Sequence, residues 1–118
     1  MKKKKAIKLV MEYERKQGRN PEKANKFKQG FDLKSGERLI DIKINGKKDS
    51  SLLLSFTKFK KLGRDISNYY VYLLNEEKEG EKPTLKILEP DFIINNLNLL
   101  TLINIKPHLI NKLNKTDL

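Results

Sequence analysis

The sequence predicts an α/β domain, a small mixed β-sheet with helices on its faces. The prediction rests on an apolar stripe of helical period near the N-terminus, a hairpin pattern around Gly36, and a second helix-then-strand alternation further on. Residues 4–17 read as an amphipathic helix. Ile7, Val10 and Met11 fall at helical spacing, Glu14 continues their stripe, and Gly18 is a stop. Asn20-Pro21-Glu22 reads as a short helical turn, with Asn20 as cap and Pro21 at its first position. Phe31 to Ser35 and Arg38 to Ile44 read as paired strands, and Asn45 to Asp49 as a polar loop. Leu52 to Phe56 reads as a third strand, and Thr57 to Ile66 as a lysine-rich helix with Phe59 and Leu62 inward. Asn68 to Leu74 is an aromatic-rich strand, Glu76 to Pro83 a charged loop, and Thr84 to Leu88 a last strand. Glu89-Pro90-Asp91 starts a helical turn, Leu97 to Ile105 fits helix or strand, and Pro107 opens a helix to about Lys115. One domain over residues 1–118 results, with a core at about 4–91 and an apolar, helical extension at about 92–118.

Composition narrows the function. The chain has 118 residues, so two independent cores would not fit. It contains no cysteine and a single histidine, His108, which excludes disulfides, thiol nucleophiles and Cys-ligated metals and leaves no Ser-His-Asp set. Asparagines interrupt the apolar run from Phe92 to Ile105, so no membrane span is expected, and the opening lysines lack the apolar region of a secretory signal. The expected compartment is the cytoplasm. The net charge is +11; residues 1–64 hold 20 Lys/Arg against 7 Asp/Glu, while the remainder is slightly acidic. A basic half on a small domain suits a polyanion such as nucleic acid, with a lysine-rich solvated surface as the plain alternative. Lys58, Lys60, Lys61 and Arg64 on one helix, with Arg19, are the candidate phosphate contacts. The run Lys2 to Lys5 reads as a solvated terminus.

The chemistry concentrates around Gly36. Taking Gly36-Glu37 as a two-residue turn, opposed residues have numbers that sum to 73. Leu33 then faces Ile40, Phe31 faces Ile42, and these four share an apolar face. Asp32 lies opposite Asp41 on the other face, with Lys43 two residues along. Side-by-side carboxylates repel and need a proton or cation between them, and Mg²⁺ or Mn²⁺ suits carboxylate oxygens and water. A surface hairpin whose aspartates are offset by Lys34, Arg38 and Lys43 is the competing account.

Asp32 followed by Asp41-Ile42-Lys43 resembles the D…(D/E)-x-K signature of the PD-(D/E)XK nuclease superfamily, and Glu14 resembles the helical acid of its Mrr-like members. The wider stretches Glu14 to Pro21, Gly30 to Ser35 and Arg38 to Lys43, with the later Tyr69 to Leu74, are similar to the family found at the C-terminus of the NO VEIN protein. The resemblance covers roughly residues 6–91; Phe31 replaces the family's usual tyrosine and Asp41 its usual glutamate. It implies a restriction-endonuclease-like core of α-β-β-β-α-β order and a Mg²⁺-dependent phosphodiester hydrolase. The implied site has Asp32 and Asp41 as ligands, the Ile42 carbonyl as a third, Lys43 positioning water, and Glu14 completing the shell. Three functions compete. One is a metal-dependent nuclease acting on nucleic acid, DNA first. Another is a non-catalytic nucleic-acid-binding module of the same fold. The last is a small junction resolvase, in which the aspartate and the acid-x-Lys motif lie further apart than here. The apolar content of Leu97 to Ile105 suits a homodimer contact.

Overall fold

The structure, a computed structural model, describes residues 1–44, 51–76, 82–96 and 113–118, and of residues 51–55 the backbone alone. Its elements are α1 (Lys3–Lys16), β1 (Pro21–Lys23), α2 (Lys26–Gln29), β2 (Leu33–Ser35), β3 (Arg38–Ile44), α3 (Ser51–Lys61), a 3-10 turn (Ile66–Asn68), β4 (Tyr69–Asn75), β5 (Thr84–Leu88), α4 (Pro90–Asn95) and β6 (Thr116–Asp117). The strands form one mixed sheet in the order β1-β2-β3-β4-β5-β6. All neighbours are antiparallel except β3 and β4, which run parallel. A parallel pair needs a crossover connection, and α3 supplies it. No helix among the described residues is long and apolar enough to cross a membrane. The expectations for Asn45 to Asp49, for residues 77–81 of the charged loop, for Leu97 to Ile105, for His108 and for residues 107–112 of the last helix lie outside the described residues. Residues 113–115 are not helical and Thr116–Asp117 is a strand paired with β5, which corrects the expected helical end.

Two expected elements change type. Pro21–Lys23 is a strand, paired antiparallel with Leu33–Ser35, rather than a helical turn. It sits at the sheet edge, where the missing N–H of Pro21 costs no ladder bond. The helical turn comes five residues later: Asn25 caps α2 by accepting from the Lys28 N–H at 3.2 Å, and Gly30 ends it at φ +85°. Leu52–Phe56 belongs to α3, not to a third strand. A short apolar run has no period of its own to tell strand from helix. The buried pair Phe56 and Phe59, three residues apart, marks the helical face. The expected α-β-β-β-α-β order is thereby changed: residues 52–56 add no third strand before α3, and β1 precedes β2 with the short α2 between them.

The hairpin follows the predicted register only in part. Leu33 pairs with Ile40 and Ser35 with Arg38, and Gly36 takes φ +58° at the turn. Beyond Leu33 the ladder breaks. The Asp32 N–H donates to the Ile40 carbonyl at 2.9 Å, so Asp32 and Leu33 share one opposing residue in the manner of a β-bulge. One extra residue reverses the side-chain alternation. Phe31 accordingly packs with Phe56, Phe59 and Tyr69, on the face opposite to Leu33, Ile40 and Ile42. This corrects the expectation that all four share a face.

The core is two layers, one on each side of the sheet. Ala6 and Val10 of α1 cover Leu33, Ile40, Ile42, Tyr72, Leu74 and Leu85. On the other side Phe56 and Phe59 of α3 and Ile93 of α4 cover Phe31, Tyr69, Val71, Leu73 and Leu88. Phe59 is wholly buried, with its ring 4.5 Å from that of Tyr69. Phe59→Ala is expected to cost about 3–5 kcal/mol of unfolding free energy in urea titrations. Phe27→Ala, at an exposed ring, is expected to stay within about 0.5 kcal/mol of wild type.

Candidate functional site

Strand β3 puts charge where a core residue would be the default. Ile40 and Ile42 point to the α1 side, so Asp41 and Lys43 point to the α3 side, and both are buried. The Tyr69 hydroxyl donates to Asp41 Oδ2 at 2.5 Å. Asp41 Oδ1 is buried without a hydrogen-bond partner and lies 3.5 Å from Lys26 Nζ. Burial pushes the Asp41 carboxyl above the usual carboxylate range, against the pull of the Tyr69 hydrogen bond and the Lys26 charge. Burial first, and then Asp41, also raise the Tyr69 phenol, which stays a neutral donor.

The bulge brings Asp32 to the same place. Its Oδ2 accepts from the Ile42 N–H at 2.8 Å, and lies 3.0 Å from Lys3 Nζ and 3.8 Å from Lys26 Nζ. Lys3 also donates to the Ile42 carbonyl. An ammonium thus sits between the Asp32 carboxylate and the Ile42 carbonyl, the two oxygen donors that a bound cation would share. Lys26 bridges both carboxylates. Burial works against its charge, but Asp41 and Asp32 outweigh burial and leave its pKa above the ordinary value. Lys43 goes the other way: burial, and next the Lys26 charge, push it down to about 8. It therefore remains mostly protonated at neutral pH, much closer to titration than a surface lysine.

Glu14 is held elsewhere. It is wholly buried, as its stripe position implied, but on the α1 side of the sheet beside Tyr72. The reason is local. The backbone turns at Gly18, φ +82°, and the Arg19 N–H bonds the Glu14 carbonyl at 3.0 Å. That turn places the Arg19 guanidinium on the Glu14 carboxylate, with both bonds at 2.7 Å. Glu14 also stands eleven residues along α1 from Lys3, roughly 16 Å at helical rise. The structure does not bring it to Asp32 and Asp41, and among the described residues no group of three or more His, Cys, Asp or Glu could hold a metal. Arg19, expected as a phosphate contact, is thereby engaged by Glu14.

Of the other expected phosphate contacts, Lys60, Lys61 and Arg64 are exposed. Lys58 is half-buried over the Phe27 ring, and Arg64 lies over the Phe31 ring. The reading of Lys2 to Lys5 as a solvated terminus is corrected at Lys3, which lies in α1 and reaches Asp32; Lys26 was not singled out, and the Tyr69 hydroxyl contact was not foreseen. Lys3 had a signal, because it stands at helical spacing from Ile7, Val10 and Glu14 and so faces the sheet. Lys26 reaches the carboxylates only through the pairing of β1 with β2, which its neighbours in sequence do not announce.

Two measurements follow. Because the folded Asp41 pKa is raised, folding disfavours its charged form, and the penalty is fully present above that raised pKa. Asp41→Asn is therefore expected to stabilise the metal-free domain at neutral pH, with the gain vanishing below about pH 4, where both states are protonated. Chemical denaturation from acid to neutral pH checks this. The Lys43 ammonium is expected to titrate at about 8 in side-chain NMR spectra, with surface lysines titrating near 10.4.

Comparison with known proteins gives one result. No curated protein and no solved structure matches the chain. The family described as Protein NO VEIN, C-terminal matches residues 2–88, which include every residue of the site just described. The chain belongs to the Protein NO VEIN, C-terminal family.

Proposed function

We propose that the protein hydrolyses phosphodiester bonds of nucleic acid, DNA first, at a Mg²⁺ or Mn²⁺ site on β3, in a fold of the restriction-endonuclease-like type. The observation that carries the reading is the meeting of Asp32, Asp41 and the Ile42 carbonyl at one place, with Lys43 on the same face. The donors suit a hard divalent cation. They are oxygen ligands only, and Asp41 Oδ1 is buried with no hydrogen bond to lose. Mg²⁺ keeps several waters and takes one or two carboxylates, so the absence of a third acid does not count against it.

When bound, the ion would lower the pKa of a water and offset charge on the phosphate. The chain does the rest. The Ile42 N–H fixes the Asp32 carboxylate, and the Tyr69 hydroxyl fixes Asp41. Lys43, protonated at neutral pH, donates to water or to a phosphate oxygen. Lys3 would have to give up its place for an ion held by Asp32 and the Ile42 carbonyl, and its side chain, 42% exposed, has water to move into.

A second reading has its own support. The ammoniums of Lys3 and Lys26 already neutralise both carboxylates, as a nucleic-acid-binding module of this fold without turnover would require.

Calorimetric titration with Mn²⁺, beside cleavage assays on duplex, single-stranded, branched and modified DNA and on RNA, separates the two. Wild type is expected to bind the ion and cleave. Asp41→Asn is expected to lose both, and Lys43→Ala to keep the ion but lose turnover by about 10²-fold or more. Lys3→Ala is expected to tighten the ion, since its ammonium no longer competes. Nucleic-acid binding that weakens with salt, without cleavage of any substrate, establishes the second reading instead.

A further inference from the structure

Phe27 is 84% exposed, far more than any other large apolar side chain among the described residues. It is not a loose side chain on a loop. Asn25 caps the turn that carries it, and Gly30 closes that turn at φ +85°. Gly30 lies against Leu62, just past α3, where an added Cβ would stand 2.7 Å from Leu62 Cδ1. Lys58 Nζ of α3 lies 4.9 Å from the Phe27 ring centre.

The surroundings are cationic on every side the sequence offers. Residues 23–31 contain Lys23, Lys26 and Lys28 with no acid until Asp32, which is buried, and residues 57–64 contain Lys58, Lys60, Lys61 and Arg64 with no acid. An exposed aromatic face on a capped turn among ammoniums fits a ligand that has both a flat π-surface and a negative backbone. A nucleotide with an exposed base has both. Bases inside a duplex do not, because their faces are covered by their neighbours. The adjacent residue, Lys26, lies 3.5 Å from Asp41.

We propose that Phe27 is a stacking platform for an unpaired nucleobase, and that it selects single-stranded, splayed or flipped nucleotides beside the carboxylate site. The inference rests on the reading above for nucleic acid as the ligand, and adds which form of it is preferred. Lys58 and the lysines around it hold the phosphates, while Phe27 takes the base.

The test uses the full chain and a fluorescent single-stranded oligonucleotide carrying 2-aminopurine, beside a duplex of the same sequence and a poly-glutamate of similar charge. Wild type is expected to bind the single strand more tightly than the duplex and to quench 2-aminopurine. Phe27→Ala is expected to weaken single-strand binding about 10-fold, remove the quenching and change duplex binding less than about 2-fold. Phe27→Trp is expected to restore both. If Phe27→Ala weakens neither form while wild type binds nucleic acid, the stacking inference falls and nucleic acid stands as the ligand. If poly-glutamate binds as tightly as the oligonucleotide and Phe27→Ala weakens both alike, the surface takes acidic peptides and the inference falls. If wild type binds no nucleic acid in any form, both readings fall together.

Discussion

Two carboxylates buried close together beside β3 are the constraint that the rest of the molecule answers. Asp32 and Asp41 repel each other, and moving either from water into a protein interior costs several kcal/mol unless charge and hydrogen bonds offset it. The offsets come from different parts of the chain. Lys3 comes from α1, Lys26 from α2 and the Tyr69 hydroxyl from β4, while the Ile42 N–H comes from β3 itself. Each of these groups is useful only if its element is docked, so the charge cluster ties helix packing to strand pairing. The offset is incomplete at Asp41, where burial still dominates.

The bulge at Asp32 is what lets the cluster form beside a full core. A regular ladder would continue the alternation, placing Phe31 with Leu33 toward α1. With one extra residue on this strand, Phe31 turns to the α3 side and closes the layer around Tyr69. Tyr69 is thereby clamped between Phe56 and Phe59, at 5.9 and 4.5 Å between ring centres, with its hydroxyl aimed at Asp41. The aromatic layer therefore positions a hydrogen bond as well as filling space.

What the sequence made legible follows from the range of the interactions involved. Helix α1, the Gly36 turn, β3 and β5 were readable because period, turn chemistry and apolar spacing are local. Glu14 was readable as a buried acid for the same reason. The strand at Pro21–Lys23 was not, since Asn-Pro before a polar run carries a helix-start signal, and only pairing with β2 decides otherwise. The helix over residues 51–56 was hidden because a run of leucines suits either structure. The bulge was hidden too: the register sum of 73 satisfied every apolar residue, and nothing in the residue types marks the break at Asp32. Asp41 and Lys43 could be placed on one face by the period of two, but their neighbours Lys3 and Lys26 depend on contacts across the fold.

The two sides of the sheet also show why Glu14 and Asp41 are different kinds of buried acid. Both Glu14 oxygens are taken by one guanidinium in a two-bond fork, and the partner sits five residues away in a turn that fixes it. Such a pair is costly to open, because release would leave a buried charge on one side and an unpaired guanidinium on the other. Asp41 instead has one oxygen bonded to a phenol and one with only an ammonium at 3.5 Å. Asp32 is held by one backbone N–H, by Lys26 at 3.8 Å and by Lys3, whose side chain is partly open to water. Displacing the partly solvated Lys3 ammonium from Asp32 therefore costs less than opening the Glu14 fork, and the difference lies in how many bonds each partner makes to its carboxylate and how deeply it is buried.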